Sequence, residues 1–124
     1  MDSPSLRGLS ILIVEDEPLI ALDLALILQR EGAQVTTTQT LRQALVLVEH
    51  DGLAAAILDR ALGNGDCQEL CGRLVARGIP FMIYSGFPAQ GGACERGLYL
   101  AKPAHPATIV DAMVRVLREH RSGC

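Results

Sequence analysis

Short apolar runs alternate with segments of helical spacing from one end of this 124-residue chain to the other. Residues 9–14 are the first such run, closed by Glu15-Asp16-Glu17. A run of that length and character suits a strand buried on both faces. Pro18 opens a helical pattern that reaches Glu31 and stops at Gly32, with proline at the start and glycine past the end. Residues 33–38 are short and β-branched, a second strand. Thr40 is placed to cap a helix over residues 41–50, closed by Asp51-Gly52. Residues 53–58 are a third buried strand, ending at Asp59.

The second half repeats the scheme. Residues 63–65 read as a loop, and Asp66 as the cap of a helix running to about Arg77, before Gly78. Residues 80–84 form a fourth strand, ending at Ser85-Gly86, and residues 98–101 a fifth, followed by Lys102-Pro103. The final helix spans residues 106–121, with Ile109, Met113, Val116 and Leu117 on one face. Five strands alternating with helices specify an α/β fold, a doubly wound five-stranded parallel sheet, because parallel strands need crossover connections. The near-uniform apolarity of the strands is what two helix-covered faces require. A chain of this length supports one core, so residues 1–124 read as a single domain.

One crossover is anomalous. From Ser85 to Lys102 is 17 positions, which must hold two turns, a helix and a strand. Residues 88–97 contain three glycines, each costing roughly 1 kcal/mol in a helix. The fourth helix is therefore expected to be shortened or irregular.

Charge and cysteine usage narrow the function. Eleven Lys plus Arg against 14 Asp plus Glu give a net charge of −3, which argues against a nucleic-acid surface. No stretch approaches the roughly 20 apolar residues of a membrane span, and residues 1–6 lack the order of a signal peptide; the expected location is cytoplasmic. Cys67 and Cys71 are four apart and share a helical face, whereas Cys94 and Cys124 are remote in sequence. His50, His105 and His120 show no paired spacing with them. The expectation is of reduced, partly buried thiols with neither a metal nor a redox role.

The polar residues at the strand ends carry the chemistry. Ligands of open α/β sheets bind beyond the carboxyl ends of the strands, where strand order reverses. Here those ends carry Glu15, Asp16 and Glu17, then Asp59, then Ser85, then Lys102, the single lysine of the chain. Converging carboxylates repel and need a cation; hard oxygen donors without His or Cys favour Mg²⁺, which accepts phosphate oxygens. A carboxylate beside such an ion can act as a nucleophile and form an aspartyl phosphate. Lysine and serine can hold the phosphoryl oxygens. As a buried ion pair with no purpose, Asp59 and Lys102 would be expensive.

Four segments in order, residues 11–18 (ILIVEDEP), 56–59 (AILD), 84–86 (YSG) and 101–103 (AKP), make the chain resemble the receiver domain of bacterial two-component response regulators, in the stand-alone form of the chemotaxis regulator. The resemblance spans essentially the whole chain. It implies a flavodoxin-like sheet of order 2-1-3-4-5. It implies that Asp59 is the phosphoacceptor and that Asp16 binds Mg²⁺ directly, with Glu15 doing so directly or through water. Asp59 itself and the backbone carbonyl of Ala61 complete the metal shell. Ser85 matches the switch hydroxyl, Lys102 the phosphate-contacting lysine, Tyr99 the switch aromatic, and Lys102-Pro103 the family's cis peptide. Tyr99 has a plainer alternative as core filler; Glu17 reads as a helix-start charge and Asp66 as a cap. Arg60, where an apolar residue is usual, points outward or draws in an anionic partner. Residues 80–87 also resemble, more loosely, a subgroup of single-domain receivers with a Pro-Phe…Thr-Gly-Tyr signature, here with Ser85 and Phe87 substituted.

The function this implies is a phosphorylation switch and not an enzyme. A histidine kinase or a histidine phosphotransfer protein donates to Asp59, and a downstream protein target reads the change. The alternatives are a phosphorylation-independent docking module, whose mark would be loss of an acid or the lysine, and a phosphate sink in a phosphorelay. A phosphatase of the haloacid-dehalogenase type would want an acid two residues past the nucleophile, where Ala61 stands. Ala61 and Phe87, two beyond the phosphoacceptor and two beyond the switch hydroxyl, flank the path of hydrolytic water and predict a long-lived phosphorylated form. In the first helix Ile20, Leu24, Ile27 and Leu28 make a core stripe. Leu22 and Leu26 are surplus, either covered by neighbouring elements or forming a surface for a partner or a weak homodimer.

Overall fold

The computed structural model describes residues 5–59, 67–86 and 91–122. Within them the apolar runs are strands β1 (Ser10–Val14), β2 (Gln34–Thr38), β3 (Leu53–Leu58), β4 (Phe81–Ser85) and β5 (Leu98–Ala101). They alternate with helices α1 (Pro18–Arg30), α2 (Leu41–Leu47), α3 (Gln68–Ala76) and α4 (Pro106–Ser122), and a 3₁₀ turn, η1 (Ala93–Arg96), precedes β5. All strand pairs are parallel and the order is β2-β1-β3-β4-β5.

Period-two alternation divides the core between the two faces of this sheet. Ile11, Ile13, Ile57, Met82 and Tyr84 pack with Leu24, Leu28, Ile109 and Met113, so α1 and α4 cover one face. Leu12, Val14, Ala56, Leu58, Phe81 and Ile83 pack with Ala44, Leu70, Leu74 and Cys94, so α2, α3 and η1 cover the other. The expectation of uniformly apolar strands fails at the rims. β2 reads Gln-Val-Thr-Thr-Thr with three exposed residues, because an edge strand is screened on fewer sides than a central one. β5 alternates between half-buried and exposed residues in the same way.

Element ends follow local chemistry. The Thr40 hydroxyl accepts from the Gln43 backbone N–H at 3.1 Å and caps α2. That helix stops at Leu47 instead of residue 50, because the chain tightens there: the Glu49 N–H donates to the Val46 carbonyl and the His50 N–H to that of Leu47. α3 starts at Gln68, with Cys67 in the capping position; Asp66, expected in that role, lies outside the described residues, as do Arg60, Ala61 and Phe87. Ile20 is half-buried and Leu24, Ile27 and Leu28 are buried. Leu22 and Leu26 are not covered: they are 56% and 44% exposed, and Leu19 joins them at 79%.

Between Gly86 and Leu98 the described residues hold a single four-residue 3₁₀ turn. Gly92 and Gly97 explain why no longer helix docks there. Gly92 has φ 70°, and a Cβ on it would collide with the Gln68 carboxamide; a Cβ on Gly97 would collide with the Phe81 ring. The segment therefore lies closer to α3 and β4 than a chain with side chains at these positions could.

Candidate functional site

The sheet order places a reversal between β1 and β3: the chain leaves β1 for β2 on one side and crosses back to β3 on the other. Val14 and Leu58 are register partners at the ends of these strands, so Glu15 and Asp59 follow them side by side at the switch point of the sheet. Both are buried. Asp16 is exposed beside them, and one carboxylate oxygen from each of the three acids falls within a sphere of mutual distances under 4.8 Å.

Lys102 enters from the far side. Its backbone N–H donates to the Ser85 carbonyl at 3.0 Å, continuing the β4–β5 ladder. Its Nζ donates to Glu15 Oε1 at 2.8 Å and to Asp59 Oδ2 at 2.6 Å. A single ammonium thus bridges the two buried acids. The peptide between Lys102 and Pro103 is cis.

The electrostatics follow from burial and pairing. Burial raises the pKa of Glu15 above the usual carboxylate range, against the opposing pull of Lys102 and of the Glu17 N–H, which donates to Glu15 Oε2 at 3.1 Å. For Lys102, burial works to lower the pKa, but the hydrogen bonds to Asp59 and Glu15 outweigh it and the net direction is upward. Three hard oxygen donors around one point, two of them drawn onto a cation, form a donor set suited to a small divalent ion.

Ser85 is fully buried at the end of β4. Tyr99 is half-exposed on β5, and its hydroxyl donates to the Ser85 carbonyl at 3.3 Å. Ala61 lies outside the described residues, so its carbonyl is not placed. The fold therefore brings Glu15, Asp16, Asp59 and Lys102 together, with Ser85 and Tyr99 linked to one another alongside.

Tyr84 is a member of this neighbourhood that sequence reasoning passed over. Its ring lies under Lys102, with Nζ 5.6 Å from the centroid, a favourable placement for a cation. Its hydroxyl accepts from the Ala104 N–H at 3.0 Å, holding the chain just past the cis peptide. The period-two rule contained the signal, since Tyr84 faces opposite to Ile83 and toward α1.

The match to known proteins agrees with this geometry. The family model of the response regulator receiver domain matches residues 11–114. A transcriptional regulatory protein, TcrA, of Mycobacterium tuberculosis is 40% identical over 106 residues, covering 77% of this chain and 41% of its own length; the chain thus spans about two fifths of that relative. A CheY-like receiver domain protein of Methanospirillum hungatei superposes with a TM-score of 0.82 at 24% identity, covering 96% of this chain and 99% of its own. The receiver domain of a sensor histidine kinase of Pseudomonas aeruginosa, with a magnesium ion coordinated in its active-site cleft, gives a TM-score of 0.78 at 26% identity. That match covers 90% of this chain and 99% of the other.

Proposed function

The chain belongs to the response regulator receiver domain family of two-component signalling, and we propose that it is a switch phosphorylated on Asp59. The observation that carries the reading is the Lys102 ammonium bridging Glu15 and Asp59 at the reversal point of the sheet. Asp59 is the member of this set at the end of β3, flanked by two acids on one side and by the lysine on the other. Its carboxylate attacks the phosphorus of a phosphohistidine on a kinase or phosphotransfer protein. The phosphorus–oxygen bond to Asp59 forms as the bond to the imidazole nitrogen breaks, and the imidazole leaves with the electron pair.

Glu15, Asp16 and Asp59 have the charge and donor chemistry to hold Mg²⁺, with the Ala61 carbonyl as a further ligand; when bound, the ion neutralises charge on the phosphoryl oxygens. The magnesium-containing kinase receiver supports this. Lys102 holds the acceptor oxygen in place before transfer and neutralises a phosphoryl oxygen afterwards. The Ser85 hydroxyl donates to another, and Tyr99, tied to the Ser85 carbonyl, carries the change to the surface of β5. A downstream protein reads that surface, and the exposed leucines of α1 supply contact area for a partner or for weak self-association. Cytoplasmic location follows from this role; among the described residues no helix is long and apolar enough to cross a membrane.

A panel of histidine kinases and phosphotransfer proteins, each offered to the protein in Mg²⁺, tests the reading. Rapid, Mg²⁺-dependent transfer from one or a few members is expected. Transfer from none, with the donors active toward their own regulators, would contradict it.

A further inference from the structure

The cysteines depart from what their spacing implied. Cys94 is not remote: η1 lies on the first turn of α3, and Cys94 is disulfide-bonded to Cys71. Cys67, outside that bond, places its Sγ 3.2 Å from the Cys94 Sγ. All three are buried, and their sulfurs all lie within 4.8 Å of one another. The sequence hides this because β4 and its return loop bring together residues 23 positions apart.

We propose that Cys67, Cys71 and Cys94 form a thiol–disulfide switch, with Cys94 as the shared member, that locks η1 onto α3 when oxidised. The arrangement differs from an incidental pair in its third sulfur. A Cys67 thiolate can attack the Cys94 sulfur; the Cys67–Cys94 bond forms, the Cys71–Cys94 bond breaks, and Cys71 leaves with the electron pair and takes up a proton. Either bond fixes η1 to the same helix. Oxidation of the reduced cluster uses a low-molecular-weight disulfide: one protein thiolate displaces the first small thiol, and a second protein thiolate displaces the other. Two protein thiols and one disulfide thus yield one protein disulfide and two small thiols.

The lock adds a covalent tie to a short segment already held by polar contacts. The Gln68 side chain, between the two α3 cysteines, donates to the Gly91 carbonyl at 3.0 Å and accepts from the Cys94 N–H at 3.2 Å. Glu95 accepts from the Gly91 N–H at 3.0 Å. Ala93 and Cys94 add apolar contact with the core on this side of the sheet. It runs directly into β5, where Tyr99 lies. Opening of this segment gives reductants and oxidants access to the buried sulfurs, and oxidation removes the opening. None of this depends on Asp59 or on phosphorylation.

Trypsin separates the partners, since Cys67 and Cys71 share the peptide 61–73 while Cys94 is in peptide 78–96. The full chain is equilibrated in glutathione buffers from fully reduced to fully oxidised, with no phosphodonor. It is then quenched in acid, alkylated with N-ethylmaleimide and digested. The expected result is a reversible crosslink between the two peptides, kept in Cys67→Ser and in Cys71→Ser and lost in Cys94→Ser. Amide exchange over residues 91–98 in the wild-type chain should be about tenfold slower in the oxidised state. Alkylation of all four cysteines in every buffer, a bond confined to peptide 61–73, or an unchanged exchange rate in the crosslinked protein would each overturn the proposal. So would thiols shielded by one zinc ion per chain until a chelator is added. The wild-type measurements decide the matter even if a serine variant fails to fold.

Discussion

The Tyr99 hydroxyl donates to the Ser85 carbonyl across 3.3 Å, joining the two residues proposed to carry the effect of phosphorylation at Asp59 to β5. This bond runs from the half-exposed edge strand to the buried end of β4. A shift of Ser85 toward phosphoryl oxygens pulls on the acceptor of Tyr99 and biases a two-state equilibrium already present. Beryllofluoride with Mg²⁺ should therefore move the Tyr99 resonances, and Ser85→Ala should shrink that response. Tyr99 shifts that ignore beryllofluoride in the wild-type protein would show that the aromatic takes no part in the switch.

Lys102 is the cation that makes two buried carboxylates tolerable. Breaking a buried pair from one side leaves uncompensated charge and is costly. Lys102→Met should lower unfolding stability in chelator by about 3 kcal/mol, and Mg²⁺ should restore part of it. Urea titrations in EDTA and in Mg²⁺ check this. Equal loss in both conditions would mean that the acids do not share an ion site.

The apolar pair Ala61 and Phe87 predicts slow loss of phosphate, because neither side chain can orient water. Ala61→Asn combined with Phe87→Glu should speed dephosphorylation several-fold, measured by decay of the phosphorylated species in Mg²⁺ after the phosphodonor is removed. An unchanged rate would remove the argument.

Leu22 and Leu26 are solvent-facing, so Leu22→Lys and Leu26→Lys should change stability by no more than about 0.5 kcal/mol. The same variants should weaken kinase binding or self-association, read by phosphotransfer rate and by sedimentation. Unaltered transfer and a strictly monomeric wild-type chain would show that the face is idle.

The fold was legible because a two-faced parallel sheet demands apolar runs, and β1, β3 and β4 carry them almost without interruption. The grouping of Glu15, Asp16, Asp59 and Lys102 was legible for a related reason: in a parallel sheet, residues just past the strands must converge on one edge. The short 3₁₀ turn that stands before β5 among the described residues could be anticipated from the glycines of that crossover. Tertiary proximity on the helix-covered side could not. Cys94 meets Cys71 through the path of a loop, which no local spacing encodes, and burial of all three sulfurs depends on η1 docking against α3. The exposure of Leu22 and Leu26 was also undecided in sequence, since whether a neighbouring element covers them is a matter of tertiary packing.

Asp59, at the end of β3 beside Glu15 and Asp16 and bonded to Lys102, is the proposed sole phosphoacceptor. Intact mass and peptide mapping after acetyl phosphate and Mg²⁺ test that assignment most directly. One phosphoryl group on Asp59, abolished by Asp59→Asn and by chelator, is the predicted result. Mg²⁺-dependent labelling that persists in a folded Asp59→Asn protein would contradict the account.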